Sequence, residues 1–351
     1  MDRIVIKGYK SFKELDIELR NINVLIGSNG SGKSNFLSFF EFLNRLYEQK
    51  LQEYVALNSG VEKMLHKGSK ITEEINAKIY FKQNAYSFDL KKGDDYFVFL
   101  NESIWYNKGG IYINKLKSEA NIKSYSGMSR GDYIKKYLTD IKKYHFHDTG
   151  KNSPFTKDSN IRNDIYFLYE KGDNLAAYLW SIQDKHPIVY NRILRMIQSI
   201  APYFSDFYFY PGASDTVRLQ WQDKYSSTIY GPTDLSDGTL RFIALATLFL
   251  QPVLPGSIII DEPELGLHPL AIQKLAGMIK SVAAKGTQVI IATQSTDLVS
   301  LFEPDDVITV NQNNGETTLQ RLSSTDLSQW LEDYSLGDLW KQNIIKGGQP
   351  Q

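Results

Sequence analysis

Gly27-Ser28-Asn29-Gly30-Ser31-Gly32-Lys33-Ser34 fits the pattern G-x-x-x-x-G-K-[ST] at every fixed position. Its flanks are the ones this pattern needs. Residues 21–26 are an apolar run that stops at the first glycine, as a strand buried on both faces does. Residues 35–47 are strongly apolar on a helical period. Glycines let backbone amides turn toward an anion without a Cβ in the way. The helix that follows puts its positive dipole end on the same anion. The segment therefore predicts a triphosphate cradle made by Gly27, Ser28, Asn29, Gly30, Ser31, Gly32, Lys33 and Ser34. In it Lys33 reaches the β- and γ-phosphates and the Ser34 hydroxyl ligates Mg²⁺.

A second segment completes that chemistry. Residues 257–260 read as a buried β-branched strand leading into Asp261-Glu262-Pro263. Such a strand delivers both acids to the C-terminal edge of a sheet, where ligands bind in α/β folds. Asp261 is expected to hold Mg²⁺, directly or through water. Glu262, one residue on, is expected to orient or deprotonate the attacking water. Because Lys33 and Asp261 have to serve one nucleotide, the chain reads as one core carrying a long insertion. A third segment, Leu235-Ser236-Asp237-Gly238-Thr239, precedes an apolar helix over 240–250. Ser236 can cap that helix, Gly238 allows close backbone approach, and the helix start offers amides to an anion.

The rest of the chain fits around these segments. Alternating residues 3–8 and 15–19 predict N-terminal strands, and 75–81 with 85–90 predict a hairpin. Further strands are expected over 95–100, 110–116, 219–221, 228–230, 288–292 and 306–310. Helices are expected over 174–180, 188–200 and 270–284. Residues 121–159, polar and rich in Lys, Ser and Tyr, show no clear period. The fold class is α/β: a mixed or parallel sheet with flanking helices, plus N-terminal antiparallel strands. The predicted division is 1–90 and 201–351 as the two parts of the core, with 91–200 as an insertion or lid of mixed helix and strand. No heptad run supports a long coiled coil.

Composition narrows the class. In 351 residues, 40 basic side chains balance 40 acidic ones, so no global field steers the chain to nucleic acid. There is no cysteine, which excludes disulfides and thiolate zinc sites. No apolar run approaches a membrane span and no signal-peptide pattern is seen, so a cytoplasmic protein is expected.

The order of these motifs resembles that of ABC-type ATPases. Ile6-Lys7-Gly8-Tyr9-Lys10-Ser11-Phe12 is similar to the opening of the SMC, RecF and OLD-type members. Three stretches resemble the predicted RecF-like ATPases often called AAA15/AAA21: residues 235–242, residues 261–269, and Ala292-Thr293-Gln294-Ser295. Trp330-Leu331-Glu332-Asp333-Tyr334-Ser335-Leu336-Gly337 also looks like that group. The likeness covers 1–85 and 165–345 well and the middle poorly. It implies two protomers sandwiching two ATPs, with Lys33, Ser34, Asp261 and Glu262 acting in cis. It also implies that Ser236 and Gly238 act across the interface and that residues 264–269 cross the dimer. Gln294 stands where many relatives carry histidine, so it can hydrogen-bond a phosphate or water but cannot titrate. Asp237 replaces a common glycine and is expected to point away from phosphate or to pair with a base such as Arg241.

The resemblance further implies a dimeric Mg²⁺-ATP switch in defence against phage or plasmid DNA, working with a separate nuclease-like or TOPRIM-like effector. Nucleic acid is then contacted indirectly and no membrane is involved. Alternatives are a RecF- or SMC-like DNA-repair or clamp ATPase and, third, the ATP-binding subunit of a transporter. About 55 residues follow Ser295, fewer than a usual domain, so no appended nuclease is expected. The effector is expected on the insertion or on the 330–340 tail. Weaker constellations are His145-Phe146-His147-Asp148, a polar loop or packing element more than a metal site, and His268, which could touch a partner protomer's nucleotide or start a helix. Lys135, Lys136, Lys142 and Lys143, with the tyrosines between them, read as a solvated helix face, the alternative being nucleic-acid binding by charge and stacking, and His66-Lys67-Gly68-Ser69 as a loop near the nucleotide.

Overall fold

Alternation at the N-terminus produces a strand that buries Ile4 and Ile6 completely. This strand, β1 (Arg3–Tyr9), pairs antiparallel with β2 (Phe12–Glu18). The computed structural model describes residues 1–107, 109–126, 129–211, 215–345 and 347. The chain forms two units, Met1–Lys142 with Gln288–Gln351, and Lys143–Thr287.

In the first unit, β3 (Ile22–Ile26) leads through the glycine-rich loop to α1 (Lys33–Tyr47) and the short α2 (Leu51–Leu57) and α3 (Val61–Met64). The predicted hairpin is β4 (Glu74–Phe81) with β5 (Asn84–Lys92), in register Phe81↔Asn84. Antiparallel pairing continues through β6 (Phe97–Tyr106) and β7 (Gly109–Asn114), giving one sheet in the order β2-β1-β4-β5-β6-β7. α4 (Ser129–Thr139) follows and stacks Tyr137 on Phe81 at 4.7 Å. It occupies part of the polar stretch with no clear period; residues 127 and 128 of that stretch lie outside the described residues. The aromatic run of α1 explains how the helix is held. Phe36, Phe39, Phe40 and Phe42 are all fully buried. The Phe42 ring meets Tyr9 of β1 at 5.4 Å, Tyr54 of α2 at 6.1 Å and Phe88 of β5 at 6.0 Å.

β8 (Ile141–Tyr144) spans the boundary between the units. The second unit contains β9 (Ser159–Asn160), α5 (Leu175–Lys185), α6 (Pro187–Gln198) and β10 (Phe204–Phe207). It continues with β11 (Thr216–Val217), β12 (Trp221–Asp223), β13 (Ile229–Tyr230), α7 (Asp237–Leu250), β14 (Ser257–Asp261) and α8 (Pro269–Ala284). α5 packs on α6, α6 on α7 and α7 on α8. α7 is buried at every residue from Thr239 to Leu250, as expected of a helix apolar all round. It begins at Asp237, three residues before the apolar run predicts. At 16 residues, α8 is the longest helix among the described residues.

The chain then returns to the first unit with β15 (Gln288–Thr293), α9 (Thr296–Val299), β16 (Val307–Asn313), β17 (Glu316–Arg321), α10 (Ser324–Leu327) and α11 (Leu336–Lys341). β3 lies between β15 and β16 and pairs with both in parallel, which is why these strands read as continuous apolar runs. α1 also touches β15, so it contacts both sheets of this unit. The predicted strand at 306–310 in fact runs on to Asn313 and turns back as β17. Asn314 (φ 52°) and Gly315 (φ 79°) both take the left-handed conformation of a type I′ turn. That Asn-Gly pair is a hairpin signal that a pattern search limited to hydrophobic runs passes over.

Phe42 is the ring shared by helix and sheet, so Phe42→Ala is expected to lower stability by about 3–5 kcal/mol. The chemical-denaturation midpoint of the first cooperative transition checks this. A shift no larger than that of an exposed-site control would show that α1 is held otherwise.

Candidate functional site

The phosphate-loop segment lies between the end of β3 and the start of α1, as its sequence predicts. Gly30 (φ 78°) and Gly32 (φ 110°) are left-handed, and Gly32 occupies the N-cap of α1 with no side-chain cap hydrogen bond. The first-turn amides of an uncapped helix suit an anion. Lys33 is 6% exposed and its Nζ donates to the carbonyls of Gly27 (2.6 Å) and Ser28 (3.0 Å). Ser34 is exposed. Ser31 is buried and its Oγ has no hydrogen-bond partner in the protein. A buried, unpartnered hydroxyl facing a backbone cradle fits a polar ligand better than an apolar one.

The loop is held from outside by residues that the motif does not contain. The Thr317 hydroxyl, on β17, donates to the Ser31 carbonyl at 2.9 Å. It also lies 2.8 Å from the Ser11 hydroxyl, which accepts from the Asn35 side-chain amide at 2.8 Å. Thr317 N donates to the Ser11 carbonyl at 2.8 Å. A Cβ on Gly32 would lie 2.2 Å from Thr317 Oγ1, and one on Gly27 would lie 2.4 Å from the Val310 carbonyl. Ser11, between β1 and β2, thus links the N-terminal hairpin to the loop. Sequence reading misses Thr317; the Asn-Gly turn two residues before it was the available signal.

Gln294 emerges exposed one residue beyond β15, whose last residue Thr293 pairs with Ile26 immediately before the loop. The structure therefore brings Gln294 and the phosphate loop to neighbouring strand ends of one sheet. Past Gln294, Ser295 caps α9, and α11 docks on α9. A Cβ on Gly337 would sit 2.4 Å from both Ser300 Oγ and the Thr296 carbonyl. Leu336, Leu339 and Trp340 are buried, so half of the expected docking tail serves internal packing. Trp330 and Tyr334 remain outward at 46% and 42% exposure.

The acidic strand end and the signature-like loop both lie in the second unit and share one cluster. Ser236 caps α7, its Oγ accepting from Thr239 N at 3.2 Å. Ser236 and Asp237 are exposed. Asp237 sits in the first turn of α7, where the dipole favours a carboxylate. Arg241 is 6% exposed and turns inward, where burial lowers its pKa. Its guanidinium donates to the Leu265 carbonyl and, at 3.0 Å each, to the Phe146 and His147 carbonyls. Arg241, one of the possible partners of Asp237, thus gives its hydrogen bonds to carbonyls. Gly238 does provide a close approach, but to protein: a Cβ there would lie 2.3 Å from the Gly266 carbonyl. Glu262 has φ 38°, a conformation that non-glycine residues rarely hold without functional or structural cause. His268 starts α8, its Nδ1 accepting from Leu270 N at 3.3 Å.

The weaker constellations resolve into structure. No group of three or more potential metal ligands occurs among the described residues. His145 and His147 stack at 4.4 Å, and His147 Nε2 donates to the Asp261 carbonyl at 2.9 Å. Lys135 Nζ donates to the Tyr125 carbonyl, and Tyr137 is taken up by its stack on Phe81. His66 is 2% exposed and its Nδ1 donates to the Lys10 carbonyl at 2.9 Å, which ties its loop to the β1–β2 turn. A surface cavity of about 550 Å³ in the second unit lies against Arg192, Arg195 and Lys274, with no motif residue in its wall.

If Thr317 shapes the loop, Thr317→Val is expected to weaken ATP binding about tenfold, the order of one lost buried hydrogen bond. Thr317→Ser should restore it. Calorimetric titration with ATP measures both, and wild-type affinity in the valine form would remove Thr317 from the site.

A family model described as "AAA domain, putative AbiEii toxin, Type IV TA system" matches residues 22–300. The energy-coupling factor transporter ATP-binding protein EcfA2 of Lactobacillus delbrueckii subsp. bulgaricus is 30% identical over 112 residues. The match takes in 31% of this chain and 37% of that protein. The corresponding EcfA of Methanocaldococcus jannaschii is 35% identical over 72 residues, 20% of this chain and 25% of that one. The chain thus spans well under half the length of these relatives. Among solved structures, an SMC head bound to the C-winged helix domain of ScpA superposes with a TM-score of 0.63 at 15% identity. It covers 93% of this chain and 99% of that one. The Smc head from Pyrococcus furiosus with an extended coiled coil, bound to the C-terminal domain of ScpA, gives 0.59 at 16% identity, over 95% and 98%. With most of its length inside the family model, the chain belongs to that AAA domain family, and its fold is that of SMC heads.

Proposed function

We propose that the chain hydrolyses Mg²⁺-ATP as a dimeric nucleotide switch. The observation that carries this reading is the phosphate loop: a backbone cradle with a buried, unpartnered Ser31 hydroxyl ahead of an uncapped helix. In this reading Lys33 exchanges its loop carbonyls for phosphate oxygens. Ser34 and Asp261 offer the hard oxygen donors that Mg²⁺ takes, and the ion supplies charge neutralisation at the transferring phosphoryl group. Glu262 orients or deprotonates the attacking water, and Gln294 hydrogen-bonds it or a phosphate oxygen without titrating. Ser236, exposed at the start of α7, faces the nucleotide of a second protomer. Gly238, occupied by its contact with Gly266, shapes that helix start.

The family's description as a toxin–antitoxin component supports a role in defence against phage or plasmid DNA. The chemistry on nucleic acid is assigned to a separate nuclease-like or TOPRIM-like effector. The 91–200 region and the exposed Trp330 and Tyr334 are the surfaces we assign to it. The SMC-head fold favours a second reading, a DNA-repair or clamp ATPase. The names of the EcfA relatives suggest a third, a transporter subunit, which fits less well with Gln294 at the switch position. No helix among the described residues is long and apolar enough to cross a membrane.

Glu262→Gln is expected to bind ATP with near-normal affinity and to release phosphate at least about 10²-fold more slowly. Normal release would move the base elsewhere. In that trapped background ATP should drive a monomer-to-dimer shift in light scattering. Mixing Lys33→Ala with Ser236→Arg should return part of the activity, because a mixed dimer keeps one intact composite site. If mixing restores nothing and scattering shows only monomer, the dimeric switch is wrong.

A further inference from the structure

The stacked histidine segment touches the acidic strand end, and the reading of Asp261 and Glu262 makes no use of it. The segment is fixed from several sides. Phe146 is 2% exposed, with ring contacts to Tyr144 at 5.8 Å and Phe155 at 5.9 Å. His145 N donates to the Glu170 carbonyl at 2.8 Å. The His145 ring lies nearly parallel to His147, 12° between planes, and limits the rotation of the second ring. From this base His147 Nε2 donates to the backbone carbonyl of Asp261 at 2.9 Å. On the same segment the Phe146 and His147 carbonyls accept from Arg241, whose third donor reaches the Leu265 carbonyl.

We propose that His147 and Arg241 form a clamp that sets the turn after Asp261 against the start of α7, with His147 a positioning residue for the acidic pair. Two observations converge on this. The clamp grips the turn on both sides, at the Asp261 and Leu265 carbonyls, and Glu262 lies between them in its left-handed conformation. The same turn presents Gly266 to Gly238, so a slip of the turn moves the signature-like loop as well. A planar guanidinium spreads its donors over three nitrogens in a fixed fork and so reaches carbonyls on separate segments, whereas the three donors of a lysine converge on one nitrogen. Because small misplacements of catalytic groups cost rate steeply, a distant donor that fixes this turn affects turnover more than nucleotide binding.

This inference rests on the reading of Asp261 as a Mg²⁺ ligand, and its test separates the two. His147→Phe keeps the stack on His145 and removes the donor; His147→Gln keeps an N–H donor at similar reach. Steady-state phosphate release is measured together with calorimetric ATP binding across a Mg²⁺ series, and melting temperature reports folding. The phenylalanine form is expected to lose tenfold or more in kcat and to need several-fold more Mg²⁺ for half-maximal ATP affinity. Its ATP affinity without Mg²⁺ should stay within twofold of wild type, and the glutamine form should recover most of both losses. Wild-type kcat and Mg²⁺ dependence in the phenylalanine form would overturn the clamp. So would a glutamine form as impaired as the phenylalanine form. If the phenylalanine form does not fold, the glutamine form and Arg241→Lys decide. The glutamine form must then keep near-normal Mg²⁺ dependence while the lysine form shifts it, and any other pattern rejects the clamp. Asp261→Asn is the control: if it leaves the Mg²⁺ series unchanged, the reading of Asp261 fails. If it shifts the series and His147→Phe does not, the inference alone fails.

Discussion

A glycine-rich loop with little side chain of its own has to be held in shape largely from outside, beyond what its own Lys33 adds through the Gly27 and Ser28 carbonyls. That constraint governs the first unit. Gly32 has a left-handed φ of 110° and no space for a Cβ, because Thr317 occupies that volume. Thr317 in turn donates to the Ser31 carbonyl from 286 residues away in sequence. The loop's geometry is therefore set by β17 from one side and by Ser11 and Asn35 from another. The aromatic face of α1 anchors the helix on which the loop ends. Buried rings of this size supply large, non-directional stabilisation, while the few hydroxyl and amide bonds near the loop supply its direction.

The second unit meets the same constraint in a different way. There the close contact is backbone on backbone, Gly238 against the Gly266 carbonyl, and the supporting donors come from Arg241 and His147. Burying a guanidinium costs desolvation, which is what lowers the Arg241 pKa, and the carbonyl partners offset that cost. The arrangement leaves Ser236 and Asp237 exposed at the start of a helix that is buried from Thr239 to Leu250. An exposed polar start on a fully buried helix is a rigid way to present a short loop outward.

Read alone, the sequence determined a good deal. The phosphate loop, the acidic strand end, the capped start of α7 and the buried strands β3, β14 and β15 all follow from local rules. Those rules are glycine placement, the apolar run of a doubly covered strand and N-cap chemistry, which act over a few residues and leave a pattern in order along the chain. The boundaries that moved, such as the start of α7 and the end of β16, moved because hydrophobic runs mark where a helix or strand is buried and not where its hydrogen bonding ends. Only the tertiary structure decided what supports these segments. Thr317 on Ser31, Arg241 on three carbonyls and His147 on Asp261 each join residues far apart in sequence through a side chain with nothing unusual beside it. A threonine, an arginine or a histidine has many possible partners, and only the packed chain selects one, because a buried donor must find whichever carbonyl the fold brings within reach.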